Sequence, residues 1–519
     1  MTEIARSRLA VVGIWILIVT AIAPTLIVKI PAMEDYLDHL SRMYILTTTG
    51  THNANPYYQV SWALYPDIAM DLIIPQLAKV MQVETAVKIF FLASQLLIIS
   101  GAFALELSVK RRHEFSVFAA LMTIYSMPFS FGFINFEFGT GVAMWGISSW
   151  IALSRIGKWG CQFIIHAIFS SALFLAHFFA LGIYGLTIGI FELRRLLESQ
   201  INAKRALTIV FILVCPVAIM LLLMLLSGAT IGEGQDNVWW FSAKPIWLVL
   251  FLNGYDATLA ASSFCALMVL LISGAIRRNL LCTLDGRWIA VGFLILFIAM
   301  PFKLAGSRMA DIRMITAAFL ILPAFASFAS KQRSVGNLAT VIGAVIILVN
   351  SSYVGYVWLT YQNDYQAIKA SFALLREKST ILVATSPVRD NSSTILTNAP
   401  MWRAPTLAVY YANAFVSSLY TLPGTHAVRV RPEWQHLALN GRTETYEPPS
   451  LADLKSVAEG KSVPGTPHYV RNWRSDFDYV YLLGPHAPNA LPNMLYEIFT
   501  SRRFTLYRVQ KCFFPNLSQ

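Results

Sequence analysis

The sequence predicts a polytopic α-helical membrane protein with a C-terminal mixed α/β domain outside the bilayer, and three observations predict it. Of 519 residues, 56% are hydrophobic and only 13% charged, with a mean hydropathy of +0.56, too apolar a mixture for a water-soluble globule. Apolar runs of bilayer length recur up to residue 358, and beyond it they shrink to strand length. The net charge of +12 comes from short basic clusters between the apolar runs, the pattern of a topology signal and not of a nucleic-acid surface. Cys161, Cys215, Cys265, Cys282 and Cys512 are scattered, without the paired spacing of a zinc site or a disulfide framework.

A membrane helix needs about 20 mainly apolar residues, and that ruler gives about eleven spans. They lie near residues 9–30, 86–107, 114–131, 138–154, 160–175, 178–192, 206–227, 257–276, 288–301, 314–329 and 336–358. The first follows Arg6 and Arg8, has a long apolar core and shows no small-residue cleavage site before the charged segment, so it reads as a retained anchor. The stretch Cys161 to Phe191 is long for one helix. Arg155 and Lys158 precede it while Arg194, Arg195, Lys204 and Arg205 follow it, so both ends face the cytoplasm and the chain turns near Ala176 and His177. The same rule puts Lys110, Arg111, Arg112, Arg277, Arg278, Lys331 and Arg333 inside. An odd span count then leaves the N-terminus cytoplasmic and the C-terminus outside. Loops 31–85, 131–137, 228–256 and 302–313 share that outer face with the tail.

The chain divides into a transmembrane domain, residues 1–358, with a long first outer loop at 31–85, and an extracytoplasmic α/β domain, residues 359–519. Within the loop, Asp67 to Pro75 is a short amphipathic stretch expected to lie along the membrane surface, as is Pro245 to Leu252. The tail should begin with a helix at Tyr365 to Glu377, followed by strands at Thr380 to Ala384, Tyr479 to Leu483 and Phe504 to Val509.

Unusual polar residues collect on the outer face. Glu34 to Arg42 reads as a helix start immediately after the first span, and i, i+3, i+4, i+7 spacing puts Asp35, Asp38, His39 and Arg42 on one side. Such a side can bind a polar acceptor and hold a carboxylate as general base; the alternative is a solvated helix with internal Asp–Arg pairing. Lys303, Arg308 and Arg313 occupy a short outer loop, against the usual scarcity of cations there. They can clamp a phosphate, or attract headgroups, or pair with Asp311. His177, among aromatics at the hairpin tip, reads first as a hydrogen-bonded structural residue. Asn135 and Glu137 are expected to cap the following helix, with the cavity as the other option for Glu137. Trp239 and Trp240, at the end of the loop from Gly232, read as interfacial anchors.

No Walker loop, dinucleotide fingerprint or nucleophile elbow is present in the sequence. The charges at span edges, Glu106 included, do not suggest a proton-coupled pump. Chemistry is therefore expected at the outer surface, with a donor delivered by the membrane.

The order of parts resembles the C-type glycosyltransferases (GT-C superfamily), polytopic enzymes that use polyprenyl-phosphate sugars. The resemblance rests on the inner N-terminus, the acidic residue opening a long first outer loop, the many spans and the outer C-terminal domain. More narrowly, the segments from Asp35 to Arg42, Asn135 to Gly139 and Ala310 to Arg313 resemble those of poorly characterised bacterial membrane proteins of this architecture. It implies a GT-C-like fold in the bacterial inner membrane, with the C-terminal domain periplasmic. It also implies Asp35, with Glu34 adjacent, as base or acceptor ligand. Lys303, Arg308 and Arg313 would be donor-phosphate ligands, and Asp38, His39, Arg42 and His177 would shape the acceptor site. The implied partners are a polyprenyl-phosphate-linked sugar donor, a glycan or lipid acceptor and the bilayer. No cofactor is required, although a divalent cation, Mg²⁺ or Ca²⁺, is compatible with the oxygen ligands of Glu34, Asp35 and Asp38. A transporter or flippase for a lipid-linked sugar, or a non-catalytic export subunit for cell-envelope polysaccharide, would share the topology; the transporter would need polar residues through the midplane.

Overall fold

The computed structural model describes residues 3–198, 203–229, 236–328, 333–386, 399–421, 426–439 and 448–511. Lys331, the loop residues 232–235 and Cys512 lie outside them.

Helix α1 (Glu3–Ile27) delivers the chain to α2 (Glu34–Thr48), which opens the long first loop. After strand β1 (Tyr58–Val60) and the short α3 (Ala69–Leu77) comes α4 (Val83–Lys110). Helices α5 (Ser116–Thr123) and α6 (Met127–Ser130) precede α7 (Ile134–Ser154), α8 (Trp159–Ala176), α9 (Phe178–Glu198) and α10 (Ala203–Leu226). The bundle is completed by α11 (Lys244–Leu250), α12 (Ala257–Ile276), α13 (Leu284–Ala299), α14 (Ala310–Ile321) and α15 (Arg333–Ser371).

The chain is a multi-pass membrane protein. Among the described residues, five helical segments are long and apolar enough to cross a bilayer, Val83–Lys110, Trp159–Ala176, Ala203–Leu226, Ala257–Ile276 and Asn337–Leu374. Of the other six predicted spans, the first lies on the 25-residue α1, and those at 138–154, 178–192 and 288–301 lie on α7, α9 and α13. The segment 114–131 is two helices and not one, with a turn before Pro128, whose fixed φ suits the first turn of α6. The segment 314–329 ends after the short α14 in a 3-10 turn at Leu322–Phe325 and strand β3 (Ala326–Phe328), which pairs antiparallel with β2 (Leu280–Cys282). The hairpin forms as expected, with extended His177 as the only residue between α8 and α9.

Close approach is built into the bundle by a glycine. A Cβ on Gly141 of α7 would lie 2.7 Å from Leu97 Cβ of α4, so only glycine lets these two helices meet here. The carbonyls left open where α1 ends are capped from elsewhere: Lys88 Nζ donates to Val28 O at 2.6 Å and Gln362 Nε2 to Ile30 O at 2.8 Å. Buried Trp358 donates to the Tyr255 hydroxyl at 2.6 Å, which donates to Ala32 O at 2.9 Å. These bonds fix the approach to α2.

Helix α15 passes residue 358 without a break and takes up most of the separate helix expected at 365–377. Beyond it lies a five-stranded mixed sheet. Its strands are β4 (Thr380–Thr385), β5 (Phe415–Val416), β7 (Tyr479–Leu483), β8 (Leu495–Thr500) and β9 (Phe504–Val509), in the order β5-β4-β7-β9-β8. Strand β4 runs parallel to β5 and β7, while β9 is antiparallel to β7 and β8. All five residues of β7 are buried, as a central strand requires. Strand β6 (Val428–Val430) leaves this sheet to pair antiparallel with β1 of the first loop. The Ser41 hydroxyl of α2 also donates to Thr406 O at 2.8 Å, so the first loop and the C-terminal part are stitched together.

Candidate active site

Helix α2 starts against the turn that leads into α7. The Asp35 N–H donates to Phe131 O at 2.9 Å. Gly132 adopts φ +99°, and a Cβ there would meet Tyr36 N at 2.9 Å. Glycine alone permits both the conformation and the contact. His39, one turn on, bonds the main chain of Gly132, and burial pushes its imidazole down to about 3, with Arg42 adding to the shift. His39 is therefore neutral.

The first turn of α2 carries Glu34, Asp35 and Asp38. Burial raises the Asp35 carboxyl, opposed by the charges of Arg403, Arg313, Arg308 and Arg42. Glu34 is pushed up to about 7, by burial first and then by the Asp35 charge, with Arg403 and Arg308 pulling the other way. Asp38 is likewise pushed up to about 7 by burial, against Arg403. Three carboxyls thus stand in one cationic field, two of them poised near neutrality.

The cations come from separate elements. Arg313, buried on the first turn of α14, lies with its guanidinium 4.4 Å from the Phe133 ring centroid and 4.7 Å from that of Phe179. Its Nη1 lies 3.1 Å from His177 Nε2. Arginine has no acceptor, so Nε2 faces a donor, while Nδ1 lies 3.2 Å from the Phe179 N–H and 3.7 Å from Asp67 Oδ1. Burial and the Arg313 charge hold His177 well below the usual imidazole range. Asp67 in turn accepts from Phe178 N at 2.6 Å. Arg308 is exposed on the approach to α14.

Asp311 does not pair with its neighbouring arginines. Fully buried, it binds Lys244 Nζ at 3.1 Å, and Lys244 also donates to Phe297 O and Met300 O. The pair fixes the loop while leaving its arginines to the carboxyls of α2. Lys303 is tied by its main chain to Val238.

Arg42 is buried and donates to Asp71 of α3 at 3.2 Å, so the internal pairing weighed for α2 is replaced by a bond to another helix. Asn135 does not cap its own helix: its Oδ1 accepts from Met70 N at 3.1 Å, on the first turn of α3. Glu137 is wholly buried, without a hydrogen bond at either oxygen. Among the described residues no three His, Cys, Asp or Glu are grouped to hold a metal ion.

Sequence reasoning missed the contribution of the C-terminal part. Arg403 Nε lies 3.4 Å from Asp38 Oδ2, and its Nη1 donates to Ser418 O at 2.5 Å. The Tyr420 phenol acts on Arg313, and His426 faces Arg42 and His39, its ring packed edge-on against Tyr420 at 5.0 Å. Nothing local in the sequence marked these residues, because they meet α2 only through the tertiary fold.

The protein is similar in structure to ArnT from Cupriavidus metallidurans. The match to its crystal structure bound to undecaprenyl phosphate has a TM-score of 0.47 and 11% identity, covering 96% of this chain and 98% of that one. The match to the apo crystal structure has a TM-score of 0.46 and 11% identity, covering 97% and 98%. No protein-family model and no curated protein matches the sequence.

Proposed function

We propose that the protein is an integral-membrane glycosyltransferase. It moves a sugar from a polyprenyl-phosphate donor to a hydroxyl of a cell-envelope or polysaccharide acceptor at the outer face of the bacterial inner membrane. One observation carries the reading: the Asp35 carboxyl is recessed among four arginines contributed by α2, the 302–313 loop, α14 and the C-terminal part. A carboxyl set among several guanidinium groups is the combination of base and anion-stabilising charge that glycosyl transfer from a phosphate ester needs.

In the proposed reaction Asp35 takes the proton of the acceptor hydroxyl as its oxygen attacks the anomeric carbon. The bond from that carbon to the phosphate oxygen breaks, and the electron pair leaves with polyprenyl phosphate, whose growing charge Arg308 and Arg313 stabilise. Phe133 and Phe179 keep the Arg313 guanidinium in plane, and neutral His177 accepts from it without cancelling its charge. Glu34 and Asp38, near neutrality in ionisation, suit hydrogen bonding to sugar hydroxyls as donor and acceptor. The purified protein, incubated with polyprenyl-phosphate-linked pentoses and hexoses and cell-envelope glycans, should release polyprenyl phosphate together with a glycosylated acceptor detectable by mass spectrometry. No release from any donor, with the protein folded, would refute the reading.

A further inference from the structure

A second polar recess lies at the far end of the bundle. Arg194 follows His177 by 17 residues along α9, about 26 Å of helix rise and close to the thickness of a hydrocarbon core. Around it, the ends of α4, α7 and α9 and the start of α13 enclose a cavity of about 260 Å³. Three arginines line it, Arg155, Arg194 and Arg195, with one lining carboxylate, Asp285. Its remaining wall is largely apolar, including Ile151, Phe191 and Phe325.

The three cations differ in their duties. Arg194 is bonded to both Asp285 and Glu198, which ties α9 to α13. Arg195 gives Nη1 to Glu192 at 2.9 Å and lies 5.5 Å from the Phe191 ring centroid, while Arg155 gives Nη2 to Val109 O at 3.3 Å. A guanidinium has five N–H donors, so Arg155 and Arg195 retain donors for an anion. Thr283 adds the N-terminus of α13, a 16-residue helix whose dipole favours negative charge at that end.

We propose that this cavity binds a phosphate group, supplied by the headgroup of an anionic phospholipid of the inner leaflet or by free phosphate. Basic pockets between transmembrane helices on the cytoplasmic side suit such headgroups, and the apolar wall suits the glycerol and first acyl carbons. The site stands apart from the carboxyls of α2 and does not depend on the transfer reaction.

The test uses the full chain purified in mild detergent. Native mass spectrometry measures retention of phosphatidylglycerol against phosphatidylcholine, and thermal unfolding is followed with and without inorganic phosphate. The wild type should retain phosphatidylglycerol at least about tenfold better than phosphatidylcholine, and R155A/R195A should lose about tenfold of that preference. Exposed Arg155→Gln alone, which spares the ion pairs, should lose part of it. A stabilisation by inorganic phosphate that disappears in R155A/R195A, without lipid preference, would assign the site to free phosphate. Equal retention of both lipids with no phosphate effect, or an effect unchanged in both variants, would overturn the proposal.

Discussion

Arg403 Nε and Asp38 Oδ2 approach to 3.4 Å, joining the C-terminal part of the chain to the first turns of α2 through a pair that is nearly inaccessible on both sides. Removing one partner of a buried pair leaves an uncompensated charge and costs about 3 kcal/mol or more, whereas replacing both by apolar groups costs far less. Arg403→Met should therefore lower thermal stability markedly, and Arg403→Met with Asp38→Leu should recover most of the loss. Additive losses in the double variant would show that the pair does not couple the two segments.

Glu34 and Asp38 are both held near 7 in the folded protein, above the ordinary carboxyl range. A raised folded-state value means that the native protein binds more protons than the unfolded chain between about pH 4 and 7. Their contribution to stability is greatest below that window and is lost as pH rises through 7. The unfolding midpoint should fall from pH 5 to pH 8, and Glu34→Gln should make that fall shallower. An unchanged slope would contradict the assignment of Glu34.

Much of the architecture was legible because bilayer length, hydrophobic periodicity and basic clusters are local properties. They located α4, α8, α10, α12 and α15, the turn at His177 and strands β4, β7 and β9. The broken segments 114–131 and 314–329 looked continuous because hydropathy averages over prolines that end a helix. Helix periodicity placed Asp35 and Asp38 together, but pairing across the fold is not periodic. Arg42 bonds Asp71, Asp311 bonds Lys244 and Asp38 bonds Arg403, and in each case the partner lies in a different element.

Gly132 shapes the site without bearing chemistry. At φ +99° with Tyr36 N 2.9 Å from any Cβ, Gly132→Ala should displace the start of α2 and cost about 1 to 3 kcal/mol. Unfolding measurements should show that loss, and any transfer activity should fall with it. A variant as stable and active as the parent would remove the turn from the account.

The proposed phosphate clamp predicts that Arg308→Ala and Arg313→Ala each weaken binding of a polyprenyl phosphate by about tenfold, the effect of losing a charge-assisted bond. Arg313→Lys should not restore binding fully, since a point charge cannot keep the planar contacts to Phe133 and Phe179. Titration of the lipid by native mass spectrometry measures this, and unchanged affinity in both alanine variants would sink the clamp.

The central claim is that Asp35 accepts the acceptor proton. The direct measurement compares single-turnover transfer from a polyprenyl-phosphate-linked sugar by the parent and by Asp35→Asn, alongside donor-lipid binding by each. The account predicts that Asn, which preserves shape and cannot take the proton, lowers the rate by about 100-fold or more while the lipid still binds. Transfer at the parental rate by Asp35→Asn would contradict it.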